Sequence, residues 1–285
     1  MLSGVFNVLK PPGMTSHDVV QYLRGITSEK KVGHAGTLDP EAAGVLPVFT
    51  GAATRLLEYV LMADKCYRAR MLLGVKTDTG DDSGNITERR PPPDISADEL
   101  RQATEKLTGV IRQVPPMYSA LKSEGKKLYQ LARAGRTVER QARTITINYI
   151  KLIKMTKNEI LLEIDCGKGT YIRTLLEDLA AELNTCAVMT FLLRIRAGIF
   201  AIDKTNTLEE IAANPRACVL PIDCALGHLP RLALSPNQAA RFCRGMKTTL
   251  EHPPDGIVSI YAPDGGFLGI GESDGQTLRA RKVLK

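Results

Sequence analysis

The chain has 285 residues, 44% of them hydrophobic, and a formal net charge of +7. That supplies enough apolar material for a packed core, in one large domain or two of unequal size. No apolar run approaches the roughly 20 residues of a membrane span, and the first ten residues lack the basic start and long apolar stretch of a signal peptide. The surplus of Lys and Arg points toward a polyanionic partner.

In chain order, residues 5–9 alternate like a first strand, and Lys10-Pro11-Pro12-Gly13 is a turn. Thr15-Ser16-His17-Asp18 offers caps for a helix from Val19 to about Ile26. A second helix runs from about Ala52 to Leu61, and residues 65–75 read as a strand. Residues 77–85 form a polar acidic loop without the ligand order or terminal Glu of a calcium-binding hand. Arg89 to Pro93 reads as a linker, and Ser96 caps a helix over 97–107. Strands are predicted at 144–153 and 158–166. Gly167-Lys168-Gly169-Thr170 then turns the chain into a helix from Tyr171 to about Leu183. A further strand over 187–202 and a short helix over 207–213 follow. Beyond 226–232 the texture changes to short strands with frequent Gly and Pro (257–262, 267–272, 278–284), the signature of a small β module.

The six cysteines form no C-x-x-C pair and the four histidines show no ligand spacing, so no structural or catalytic metal is expected. The cysteines read as small buried hydrophobes of a cytosolic protein.

Two segments stand out. Gly33 to Leu46 surrounds one carboxylate, Asp39, with small residues and three glycines, as a loop passing close to a bulky ligand requires. Read alone, Asp39-Pro40 also fits a helix start, with Asp at the N-cap and Pro at N1. Between Pro115 and Arg143 lie seven basic residues against two acidic ones, with Tyr118 and Tyr129 among them. That stretch is either a solvated helix face or a basic arm lying on a phosphate backbone. Singly, other candidates have ordinary readings: His34 as a structural or surface residue, Tyr67 as strand packing, Tyr171 as a helix-start residue, Arg173 as a surface ion pair. Leu192 alone carries no chemical information.

Five motifs in order change this: Lys10-Pro11-Pro12-Gly13 with Thr15-Ser16; the Gly33–Leu46 stretch; Lys65-Cys66-Tyr67-Arg68 with Thr77-Asp78-Thr79; Gln113 to Lys122; and Gly169-Thr170-Tyr171-Ile172-Arg173. Together they resemble the TruB-type tRNA pseudouridine synthases over about residues 3–200, and the tail resembles a PUA-type RNA-binding module. The segment after the Arg173 helix departs from the family. It has Leu183-Asn184, Ala187-Val188 and Leu192-Leu193-Arg194 where members often show Leu-Gly, Ala-His and Leu-Arg-Arg.

The resemblance implies an α+β fold: a mixed-sheet catalytic domain over 1–227 and a PUA-like β module over 228–285; the charge of segment 115–143, with Gly125 and Gly135, points to a mobile insertion that closes on the RNA. It implies an isomerase that converts uridine 55 of the tRNA T loop to pseudouridine without cofactor or metal. By residue, it implies Asp39 as the catalytic aspartate, Tyr67 as the active-site tyrosine and Arg173 as the partner of the aspartate; a guanidinium can hold a carboxylate ionised and oriented through a bidentate pair. Tyr171 and Leu192 would line the base pocket, His34 would support the flipped-out T loop, and Lys10 and Lys122 of the matched motifs would bind substrate. A cytoplasmic monomer is expected, acting on the T arm of tRNA with no membrane, guide RNA or obligate protein partner. The rivals are a non-catalytic RNA-binding or folding factor and a guide-RNA-dependent synthase.

Overall fold

The structure, a computed structural model, describes residues 2–61, 63–119, 121–123 and 125–284, leaving aside the side chains of Lys122, Ser123, Lys127 and Arg133. β1 (Gly4–Lys10) turns into α1 (Ser16–Thr27), and β2 (Val32–His34) and β3 (Ala43–Thr50) flank the loop that carries Asp39. A 3-10 turn over Gly51–Leu56 and α2 (Leu57–Val60) lead to β4 (Lys65–Leu73). The acidic loop joins β5 (Val75–Thr77) to β6 (Ile86–Arg89), followed by α3 (Ala97–Lys106) and β7 (Gly109–Gln113). The basic segment holds β8 (Lys122–Ser123), β9 (Lys126–Lys127) and α4 (Leu128–Arg133). Next come β10 (Arg143–Met155), β11 (Glu159–Cys166), α5 (Ile172–Glu182), β12 (Ala187–Ala197) and β13 (Phe200–Ala201). α6 (Leu208–Ala213), α7 (Pro215–Cys218) and β14 (Val219–Leu220) complete the first sheet's chain.

Helix starts follow the caps. Thr15 and Asp18 form a capping box on α1, as do Ser96 and Glu99 on α3 and Thr207 and Glu210 on α6; each side chain satisfies a backbone N–H that the helix leaves unpaired.

The described residues form a ten-stranded sheet in the order β14-β1-β3-β12-β4-β11-β10-β7, with β2 on β3 and β13 on β12. Its pairs are antiparallel except β12 with β3, so the sheet is mixed. One face packs on α1 and α5 through Val19, Leu23, Leu175 and Leu179. No helix of the described residues is long and apolar enough to cross a membrane.

The helix read over 52–61 is largely a 3-10 turn, and two differences from the sequence reading concern the segment around Asp39. Residues 43–50 are a strand, although nothing in the alternation predicts one: seven of its eight residues are buried, so the inside–outside pattern is absent. Pro47 is tolerated there because its missing N–H falls between the partners of β3's far edge, Val48 with His34 and Gly44 with Arg194; its carbonyl accepts from Ala35 N–H at 2.9 Å. The other difference is at Asp39-Pro40, which starts no helix. The chain makes one turn, Ala42 N–H to Asp39 C=O at 3.1 Å, and enters β3.

The remaining chain forms a second sheet in the order β15-β17-β18-β19-β16, from β15 (Arg231–Ala233), β16 (Thr248–Thr249), β17 (Gly256–Tyr261), β18 (Phe267–Ser273) and β19 (Thr277–Val283). With α8 (Pro236–Cys243) it encloses a core of Leu234, Phe242, Val258, Ile260 and Leu278. It is not separate from the first sheet. Ile270 and Leu284 are buried in one cluster with Val45, Phe49, Ala53 and Leu56, and Arg55 donates to Val283 C=O while Lys282 pairs with Glu58 at 2.8 Å.

Candidate active site

The Asp39 loop is fastened from below. Lys10, buried at the end of β1, donates to the carbonyls of Pro11, Pro40 and Ala42 at 2.7, 2.9 and 2.7 Å. Ser16 Oγ donates to Leu38 C=O at 3.1 Å and accepts from Leu38 N–H at 2.8 Å. Gly13 N–H donates to Pro40 C=O at 3.0 Å. On the other side, Arg194 donates through Nε to Val45 C=O at 2.7 Å and through Nη2 to Gly36 C=O at 3.0 Å. Gly44 has φ +111°, and a Cβ there would stand 2.2 Å from Arg194 C=O, so only glycine lets β3 and β12 meet at this point.

These fixings hold the Asp39 side chain, 38% exposed, against the nearly buried Arg173, with Oδ2 3.1 Å from Nε. Arg173 lies in the first turn of α5, whose N-cap Tyr171 offers no side-chain cap. Gln113 supplies the grip instead: its Oε1 accepts from Tyr171 N–H at 2.9 Å and its Nε2 donates to Tyr171 C=O at 3.1 Å. The Arg173 guanidinium donates through Nη1 to Thr79 C=O at 2.8 Å and through Nη2 to Tyr118 C=O at 2.9 Å. Asp81 stands 3.6 Å from Nη1 and is itself held by the Thr79 hydroxyl at 2.7 Å and Ser83 N–H at 3.2 Å. The acidic loop therefore uses its carboxylates to shape itself and to seat Arg173. The pair makes its contact through Nε and not as the bidentate fork considered from sequence, while Nη1 and Nη2 donate to Thr79 and Tyr118.

A cavity of about 320 Å³ opens over Asp39 and is lined by Tyr67, Tyr171, Arg173, Leu192, Lys65 and Arg194 among others. That volume lies within the range of small-molecule sites, roughly 300–1,000 Å³. The register of β4 and β12 sets its wall: Tyr67 lies opposite Arg194 and Leu192 opposite Ala69. Burial pushes the pKa of Asp39 above the ordinary carboxylate value; Arg173 opposes this and Asp81 adds to it. Burial also raises Tyr67 and Tyr171, with Arg194 acting against it at Tyr67.

Of the residues singled out from sequence, Asp39, Tyr67, Arg173, Tyr171 and Leu192 come together in this cavity. His34 lies outside its lining, at the end of β2 opposite Val48, where burial lowers its pKa. Lys10 is not positioned to bind a substrate: its ammonium is spent on three loop carbonyls and its side chain is buried. It positions the loop. Lys122 sits in the β8–β9 hairpin, and its side chain lies outside the described residues. Asp81, Gln113 and Arg194 are the site residues that sequence reasoning missed. Arg194 left one signal, a lone cation in the apolar run Phe191-Leu192-Leu193-Arg194-Ile195, which needs a buried partner.

Such an arrangement presents one carboxylate, oriented by a cation, to a ligand held between aromatic and aliphatic walls. The carboxylate can act as nucleophile or base, and the walls suit an unstacked nucleobase.

Comparison with known proteins agrees with this geometry. Residues 24–172 match the TruB family pseudouridylate synthase N-terminal domain, and residues 230–284 match the C-terminal model of pseudouridine synthase II TruB. The chain is 44% identical to the tRNA pseudouridine synthase B of Moorella thermoacetica over 100% of both chains. It is 45% identical to that of Symbiobacterium thermophilum, covering 86% of this chain and 83% of the relative. Among solved structures, a Cbf5-Nop10-Gar1 complex matches with a TM-score of 0.78 and 26% identity, over 99% of this chain and 85% of that one. An H/ACA RNP bound to a substrate RNA containing 2'-deoxyuridine matches with a TM-score of 0.77 and 25% identity, over 99% and 85%. With matches of this extent at both ends of the chain, and an aspartate–arginine pair set in a pocket of nucleoside size, the protein belongs to the TruB family of pseudouridylate synthases.

Proposed function

We propose that this enzyme converts uridine 55 in the T loop of tRNA to pseudouridine, acting in the cytoplasm without guide RNA, protein partner or cofactor. The observation that carries the reading is the Asp39–Arg173 pair at the floor of a cavity walled by Tyr67, Tyr171 and Leu192. Full-length relatives named tRNA pseudouridine synthase B support the choice of RNA.

The chemistry runs as follows. The target base leaves its stack, at a cost of a few kcal/mol, and Tyr67 and Tyr171 offset part of that cost by contact with its faces. Asp39, kept ionised by Arg173, attends the bond between N1 and C1′ as it breaks. The base turns and rejoins through C5. We assign this chemistry to residues 1–227 and RNA anchoring to 228–285, with segment 115–143 closing on the RNA through Lys126, Arg136 and its other cations. His34 supports the extruded conformation of the T loop from the pocket's edge.

The test is incubation of the purified protein with unmodified tRNA, with pseudouridine mapped at single-nucleotide resolution, and the same assay on an isolated T-arm stem-loop. Product at position 55 in both is expected. Product only after a guide RNA is added would assign the chain to the guided class, and binding without product would make it an RNA-folding factor.

A further inference from the structure

β12 carries a buried cation, Arg194, that lacks an ion-pair partner among the described residues. Arg194 is 1% exposed yet lines the cavity. Its neighbours Arg173 and Arg196 each face carboxylates; among the described residues Arg194 forms no ion pair. Its Nε and Nη2 are taken by Val45 and Gly36. Nη1 lies on the side of Gly36, whose φ is +104°, and a Cβ there would stand 3.6 Å from Nη1 and 3.8 Å from Lys65 Cε. The missing side chain leaves an opening between the two cations, and Gly36, Lys65, Arg194 and Tyr67 all line the cavity. Burying a guanidinium without a counter-charge is costly, and two carbonyls together with the neutral Tyr67 hydroxyl, which Arg194 also meets, offset only part of that.

We propose that Arg194 is a further catalytic residue of the isomerisation, the cation that stabilises the negative charge the pyrimidine carries once its bond to the sugar breaks. The inference rests on the function proposed above for this cavity. When the N1–C1′ bond breaks, its electron pair stays on the base, giving a uracil anion with charge shared by N1 and the two carbonyl oxygens. The electron-poor C1′ is matched by the Asp39 carboxylate. After the base turns, C5 bonds to C1′, and the proton that C5 loses is balanced by the one that N1 gains, so composition is unchanged. Asp39 and Arg173 serve the sugar side of this step, and Arg194 serves the base side. A fixed buried charge needs no rearrangement as the anion forms, which is why it is effective there. The field of Arg194 is already felt around it. Burial is the chief cause of the lowered pKa values of Lys10, Lys65 and His34, and Arg194 lowers each further.

The experiment compares wild type, Arg194→Met and Arg194→Lys in single-turnover loss of the N1-linked nucleoside, on tRNA carrying either uridine or 5-fluorouridine at the target. Fluorine makes the base anion more stable by itself and so reduces the need for the cation. Arg194→Met is expected to slow uridine about 10²–10³-fold, the effect of removing one preorganised donor, and to slow 5-fluorouridine about tenfold less. Arg194→Lys falls between. Equal slowing of both nucleosides marks a purely structural loss and overturns the proposal, as does a wild-type rate in Arg194→Met. If Arg194→Met does not fold, Arg194→Lys carries the same comparison. Failure of the wild type to convert uridine would instead sink the proposed function, and the same assay reads it separately.

Discussion

Arg173 meets Asp39 through Nε at 3.1 Å, while its two Nη groups are tied to the carbonyls of Thr79 and Tyr118. The guanidinium is thus fixed by groups other than the carboxylate, and Asp39 is paired with a cation that cannot swing away. The remaining lone pairs of Asp39 stay open to the cavity. A fork taking both oxygens would leave fewer.

From this geometry, Arg173→Lys should slow chemistry much more than binding. One ammonium cannot reach Asp39 and both carbonyls at once, and a buried carbonyl left without a donor costs about 1–3 kcal/mol. Single-turnover rates against RNA affinity provide the measurement. A loss confined to affinity would make Arg173 a phosphate contact.

Asp39→Asn should abolish product and leave RNA affinity within a few fold. The pH dependence follows from the raised pKa of Asp39. Because the folded value lies above the unfolded one, the native state holds this proton longer. The associated stability is complete below the ordinary value of 3.8 and is lost as pH rises through the raised value. Asp39→Asn should therefore be at least as stable as wild type at neutral pH. The proposed chemistry uses the carboxylate, so the rate should rise with pH over that same window, centred above 3.8. Asp81→Asn should move the midpoint down, because Asp81 contributes to the rise. A wild-type midpoint at or below the ordinary value would contradict the assignment.

Lys10→Met should destabilise the fold by roughly 2–4 kcal/mol, since it takes the ammonium from the carbonyls of Pro11 and Ala42 and leaves Pro40 with the Gly13 N–H alone. Urea unfolding reads this directly. RNA affinity at a temperature where the variant is folded should change little, which separates a positioning role from a substrate contact.

What could be read in advance divides along physical lines. α1 and α3 are legible because their caps, Thr15 with Asp18 and Ser96 with Glu99, lie within four residues of each other. β10 and β11 are legible because runs of Ile and Leu mark them. β3 is not, because burial on both sides erases alternation and Pro47 argues against a strand. Asp39-Pro40 has a good local helix signal that loses to Lys10, Ser16 and Gly13 pulling the loop into a turn. The pocket's aspartate, arginine and tyrosines are legible only through motif resemblance. Gln113 is hidden for a further reason: its partner is the Tyr171 backbone of a distant segment, which leaves no trace in side-chain pattern, and Arg194 shows only as a cation in an apolar run.

Binding should weaken linearly in log salt, with a slope of about 0.7–0.9 per phosphate neutralised. Lys126 and Arg136 are exposed in the basic segment, and replacing either by Ala should reduce the slope by about one without changing the single-turnover rate at saturation. An unchanged slope would remove the segment from the RNA interface.

The C-terminal sheet should prove part of the catalytic unit's stability and not a detachable appendage. Ile270 and Leu284 are buried against Val45, Phe49, Ala53 and Leu56, and the 3-10 turn they cover runs into α2 and on to Leu61 and Lys65, which line the cavity. Ile270→Ala should cost about 2–5 kcal/mol, seen as a downward shift of one cooperative transition. Deleting residues 228–285 would expose that apolar face and loosen the Leu61–Lys65 wall, so turnover of a T-arm stem-loop should fall along with affinity. Two separate unfolding transitions in the full chain, the larger unmoved by Ile270→Ala, would show that the shared cluster carries no coupling.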